Sequence, residues 1–161
     1  MARILTVEPA LPAFRHAQKE ITQQLVEGLA TDDTMAEVIR RIHASTGVDT
    51  RHLVMPIAQY REIESFTQAN TLFREHALAL STTAITGALT QANLKPEDVD
   101  YLFFTTVTGV GAPSLDVDLV SALGFRPNVV RVPSFGLGCV AGASAIARVA
   151  DYLEGHPQAI G

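Results

Sequence analysis

The chain has 161 residues, 47% of them hydrophobic and 18% charged, with a mean hydropathy of +0.19. That is enough apolar sequence to bury a core, which excludes a disordered protein, and no run of about 18 apolar residues exists to span a bilayer. Twelve basic residues against seventeen acidic ones leave a net charge of −5, and apart from Arg40-Arg41 the basic residues are scattered, which argues against nucleic acid as a partner.

In chain order, residues 2–7 (ARILTV) predict a short strand ended by Pro9 and Pro12, and Glu8 with these prolines leaves no secretory apolar core. Two helices follow over 14–29 and 33–45; in the second, Met35, Val38, Ile39 and Ile42 recur at helical spacing after a cap at Asp33 or Thr34. Gly47 suits the left-handed position just past its end. Residues 48–64 show no clean period and predict an extended segment plus loop.

The longest helical pattern covers 66–92, with Phe66, Ala69, Phe73, Ala77, Leu80, Ala84 and Ala88 on one face. Small residues on a buried face allow close approach, so this helix is expected to be central. Asn93 ends it and Lys95–Asp98 form a turn. The apolar run VDYLFFTT (99–106) predicts a strand buried on both faces of a parallel sheet. A helix over 115–123 capped by Ser114 and ended by Gly124, a strand at 129–132, and a helix from about Cys139 to Glu154 complete the pattern. Alternating strands and helices give an α/β fold with helices layered around a mainly parallel sheet. Gln158–Gly161 stand where a crossover helix should deliver the next strand, so the sequence predicts one unit, 1–161, cut short.

One segment carries chemistry: SFGLGCVAGASAIA, in which Cys139 lies between a strand and a helix among Gly136, Gly138 and Gly142. Glycines before the cysteine permit a tight turn that lifts its side chain off the sheet edge. The helix that starts there aims free N–H groups and its positive end at the sulfur, which favours a nucleophilic thiolate. A free cysteine is also a common inert core residue, and both meanings remain open on spacing alone. With a single cysteine no internal disulfide can form, which points to a reducing, cytoplasmic compartment.

Other motifs are weaker. Gly136-x-Gly138-x-x-x-Gly142 resembles a dinucleotide fingerprint, but the chain ends before the second strand and acidic residue that such a site needs. His16, His43, His52, His76 and His156 have no metal-ligand spacing, so no metal is expected. Arg40-Arg41 suits either a phosphate or a solvated helix face.

Residues 105–153, TTVTGVGAPSLDVDLVSALGFRPNVVRVPSFGLGCVAGASAIARVADYL, resemble the type III polyketide synthases, the chalcone and stilbene synthase family, as do TRHL (50–53) and NLKPEDVDYL (93–102). The resemblance implies a thiolase-like fold of two similar halves, of which this chain is the N-terminal one. It implies a homodimer, acyl-CoA and malonyl-CoA as substrates, no cofactor beyond these coenzyme A thioesters, and neither nucleic acid nor membrane as a partner. Cys139 matches the nucleophile that takes the acyl group, after which malonyl-CoA is decarboxylated and condensed onto it to make a small polyketide. Val107 and Thr108 match cavity-lining positions, and Ala112 matches a residue that reaches into the partner's pocket. Arg41 matches a residue that holds the coenzyme A phosphates, with Val38 and Ser45 where its basic companions usually stand. The family's histidine and asparagine lie in the second half, so the 161-residue chain alone is expected to be inactive. The alternatives are a ketoacyl carrier-protein synthase III-type condensing enzyme and a non-catalytic remnant that only packs or dimerises.

Overall fold

A computed structural model describes residues 2–161. They form two compact units, one of Leu11–Gln68 and one of the residues up to Ala10 with Ala69–Gly161.

In the smaller unit, β1 (Phe14–Ala17) pairs antiparallel with β2 (Thr50–Leu53), Phe14 opposite Leu53 and Ala17 opposite Thr50. The chain then turns into α1 (Gln18–Leu29), where the Glu20 carboxylate accepts the Ala17 N–H at 3.2 Å and the Gln18 N–H finds the Asp49 carbonyl at 2.8 Å. The helix expected from residue 14 therefore starts at Gln18, because the four residues before it are claimed by a distant strand. α2 (Asp33–Ser45) is capped by Asp32, which accepts the Met35 N–H at 2.8 Å, and not by Asp33 or Thr34. Asp32 is extended (φ −156°), as a capping residue must be, while the two residues after it are already helical. Gly47 follows with φ +66°, as expected. The segment 48–64 contains β2 and a 3-10 helix over Ile57–Glu62.

The larger unit is built on α3 (Phe66–Ala92), which has the predicted boundaries and is followed by Asn93 at φ +54°. β3 (Tyr101–Thr106) and β4 (Val130–Phe135) form a parallel pair, with α4 (Leu115–Leu123) between them in sequence and α5 (Ala141–Gly155) after them. The core is Val99, Phe125 and Val129, packed on by Ile85, Leu89, Leu102, Val120, Leu123 and Ile160. The α/β class stands, with three corrections in this unit. Residues 2–7 form no strand: the segment lies along α3, Thr6 Oγ1 donating to the Ala88 carbonyl at 3.2 Å and Glu8 meeting Gln91, so no strand is beside it to complete a ladder. β4 runs on to Phe135, past Pro133, whose missing N–H breaks only one rung. Finally, only Tyr101 of β3 is buried and no residue of α3 is, so neither is enclosed on all sides within this chain.

The last residues meet the start of β3. Ile160 accepts the Asp100 and Tyr101 N–H groups at 2.8 and 3.1 Å and donates its own N–H to the Asp100 carboxylate at 2.9 Å. Tyr152 of α5 stacks between Tyr101 and His156, with ring centres 4.3 and 4.1 Å apart. Among the described residues no helix is long and apolar enough to cross a membrane.

Candidate functional site

β3 and β4 run in register, from Tyr101 opposite Val130 to Thr106 opposite Phe135, so both strands end at one level. Ligand sites of open α/β sheets lie beyond this carboxyl edge. Two connections leave it here. One is the loop Val107–Ser114 that leads to α4; the other is the turn Gly136–Val140 that leads to α5.

The turn carries Cys139. The Gly136 N–H donates to the Thr106 carbonyl at 3.3 Å and extends the ladder by one rung. Gly136 and Gly138 then take φ of +88° and +58°. A Cβ on either would meet nothing within 4 Å, so the backbone conformation, and not space, calls for glycine. Gly138–Val140 form a single 3-10 turn, and α5 starts at Ala141, two residues later than the sequence pattern places it. Cys139 is a free, exposed thiol. α5 begins without a capping side chain, but the 3-10 turn runs straight into it and the Ala141 N–H already donates to the Gly138 carbonyl, so the first N–H of the helix is not free for the sulfur as expected. Phe135, Leu137 and Val140, close to it along the chain, are exposed apolar residues.

The loop carries the other expected positions. A pocket of about 400 Å³ is walled by Phe73 and Arg74 of α3, Thr106, Val110 and Ala112 of the β3 end and loop, and Phe135 of β4. Ala112 is thus in the pocket wall. Val107 and Thr108 are exposed on the same loop outside that wall, the Thr108 N–H donating to Thr106 Oγ1 at 3.1 Å. Asp116, fully buried at the start of α4, pairs with Arg131 of β4 at 2.5 Å and accepts from Ser114 Oγ. Ser114 therefore serves a carboxylate and not, as expected, the backbone of the helix it precedes.

Arg41 lies in the smaller unit, exposed on α2, with no ion pair among the described residues. A wider cleft of about 890 Å³ between α1 and α2, lined by Thr22, Arg40 and His43 among others, does not include Arg41. Among the described residues no cluster of three or more His, Cys, Asp or Glu is arranged to hold a metal. Asn70, Phe73 and Arg74 were not legible as site residues: helical periodicity gives Phe73 a packing role and leaves the other two as solvent positions. The available signal was an asparagine inside the helix, in its second turn, a residue that favours caps and turns.

The profile of the family described as "Chalcone and stilbene synthases, N-terminal domain" matches residues 1–159. The chain is 45% identical over 154 residues to a 1,3,6,8-tetrahydroxynaphthalene synthase of Streptomyces peucetius subsp. caesius, a match covering 96% of this chain and 41% of that protein. It is 34% identical over 148 residues to a phloroglucinol synthase of Pseudomonas fluorescens, covering 89% of this chain and 42% of that one. Among solved structures, the 1,3,6,8-tetrahydroxynaphthalene synthase of Streptomyces coelicolor A3(2), a bacterial type III polyketide synthase, superposes with a TM-score of 0.86 at 28% identity, covering 97% of this chain and 45% of that one. The chain spans about two fifths of the length of the curated relatives it matches.

Proposed function

The chain belongs to the chalcone and stilbene synthase family, and we propose from that membership that it supplies the nucleophile-bearing N-terminal half of a type III polyketide synthase. The Cys139 thiolate attacks the carbonyl carbon of an acyl-CoA, and the coenzyme A thiolate leaves. Malonyl-CoA then loses CO₂, and the resulting carbanion attacks the acyl–Cys139 carbonyl. A carbon–carbon bond forms, the Cys139 thiolate is released, and the lengthened chain is carried on coenzyme A. A histidine and an asparagine from the second half stabilise the developing enolate, so Leu11–Gly161 and the residues before them load an acyl group but do not condense without that half. Arg41 contributes a charge for the coenzyme A phosphates, and the working enzyme is a cytoplasmic homodimer.

One observation carries this proposal: Cys139 is exposed at the carboxyl edge of the parallel pair, on a turn made by two left-handed glycines that directly follows Phe135, a wall residue of a pocket of about 400 Å³. The tetrahydroxynaphthalene and phloroglucinol synthases among its relatives support a small aromatic product.

Acylation of the full-length protein tests it. Incubation with an acyl-CoA is expected to add one acyl mass, mapped to Cys139, and Cys139→Ala is expected to abolish both this adduct and product formation from malonyl-CoA. In the same assay Arg41→Ala is expected to raise KM for the CoA thioester several-fold, a loss of about 1 kcal/mol. Full activity of Cys139→Ala overturns the nucleophile assignment, and loading only from acyl carrier protein overturns the coenzyme A assignment.

A further inference from the structure

The loop Val107–Ser114 has no ladder partner, yet three neighbouring side chains of α3 fix it. The Asn70 amide donates from Nδ2 to the Val110 carbonyl at 2.9 Å and accepts the Val110 N–H at 2.9 Å, as a paired strand would. One turn further, Arg74 donates from Nη1 to the Pro113 carbonyl at 3.2 Å and from Nη2 to Asp118 of α4 at 2.6 Å. Between them Phe73 is pressed against the loop: a Cβ on Gly109 would stand 2.0 Å from its ring, and one on Gly111 would stand 2.0 Å from Arg74 Nη1. An asparagine past the first turn of a helix is unfavourable to the helix itself, and the two bonds of Asn70 to Val110 serve the loop.

The clamped residues are also the pocket wall. Phe73, Arg74, Val110 and Ala112 line it together with Phe135, which is followed directly by the cysteine turn. A loop without regular hydrogen bonding opens at little cost unless side chains hold it, and pocket shape decides what fits.

We propose that Asn70 and Arg74 are positioning residues that set the length of the polyketide: by fixing Val110 and Pro113 they fix the wall against which the growing chain extends. This rests on the polyketide synthase activity proposed above. Neither residue touches the reacting atoms. Loading of Cys139 uses the turn and the coenzyme A site, whereas extension needs room, so the clamp governs which product leaves and not how fast the first acyl group arrives.

The test uses the full-length synthase with Asn70→Ala, which also raises helix propensity, and with Arg74→Lys, a milder change that keeps a charge for Asp118 and gives up the bond to Pro113. Amide exchange of the 107–114 segment is expected to quicken about tenfold or more in Asn70→Ala, which removes both hydrogen bonds to Val110. Products from malonyl-CoA are expected to change from one main compound to several differing in malonyl count, with Arg74→Lys intermediate. In Asn70→Ala, whose altered side chain lies outside the pocket wall, the rate at which acyl-CoA loads Cys139 is expected to stay within about twofold of wild type. Unchanged exchange overturns the clamp. Faster exchange with an unchanged product ratio in both variants overturns its role in chain length. A wild type that makes no polyketide overturns the activity and this role with it, a failure told apart because the exchange effect persists.

Discussion

Two connections leave the same edge of the β3–β4 pair, and they are held in opposite ways. The loop Val107–Ser114 is fixed from outside, by Asn70, Phe73 and Arg74 of α3 and by Asp116 through Ser114. The turn Gly136–Val140 is reached by no side-chain hydrogen bond among the described residues, and its shape comes from two left-handed glycines and one backbone bond to Thr106. A wall that must keep its shape is built from side-chain contacts, which distant residues can tune. A nucleophile that must be exposed is placed by its own backbone, which leaves the space around it free for substrate.

The largest test of this contrast is the ion pair between the two regions. Arg131 lies on the strand leading into the turn, and Asp116 on the helix leaving the loop. Arg131→Met strands a fully buried carboxylate and is expected to cost about 3 kcal/mol or more in urea unfolding of the full-length protein. Asp116→Asn should cost less, because the partly exposed guanidinium it abandons can turn to water. Equal losses would mean that the carboxylate does not depend on Arg131.

A pair of glycine substitutions separates side-chain from backbone control more sharply. Gly109→Ala collides with Phe73 and is expected to lose about 1–3 kcal/mol, much of it recovered by Phe73→Leu. Gly138→Ala meets open space but a left-handed backbone, so about 1–2 kcal/mol is lost. Gly138→Asn should recover part of that, and no change in a neighbouring side chain should. Rescue of Gly138→Ala by repacking would break the contrast.

The smallest effect lies at the other end of β3. The Ile160 N–H first, and then Arg126, hold the Asp100 carboxyl below its ordinary value of 3.8, against the opposing effect of burial. A depressed native value means that the unfolded chain takes up the proton first as pH falls. This contribution is therefore complete above the ordinary value and is lost as pH drops through the depressed one. Asp100→Asn is expected to flatten the fall of the unfolding midpoint between about pH 5 and pH 2 while leaving amide exchange in 107–114 unchanged.

The helices, and those of their ends marked by a glycine or asparagine, were readable because the information is local. Periodicity fixed 66–92, the closing Gly124 fixed the end of 115–123, and Gly47 and Asn93 mark other ends through a backbone conformation that few residues tolerate. β1 was not readable, since Phe14–Ala17 become a strand only through Thr50–Leu53, more than thirty residues away. The same holds for residues 2–7, whose strand-like composition meets a helix instead of a strand. At the site, the glycines around Cys139 announced the turn, because its geometry is written in the segment itself. The clamp could not be read, because Asn70 acquires its meaning from Val110, forty residues on.

The level ends of β3 and β4 also limit how such a chain can diversify. Side chains alternate faces along a strand, so deleting one residue from Val130–Phe135 would draw the cysteine turn back by about 3.3 Å and send each later side chain to the opposite face. Substitution, by contrast, leaves the rungs where they are. New specificities are therefore reached by changing bulk and polarity at fixed spacing, while insertions and deletions within the paired residues of β3 and β4 break the register that sets Thr106 opposite Phe135.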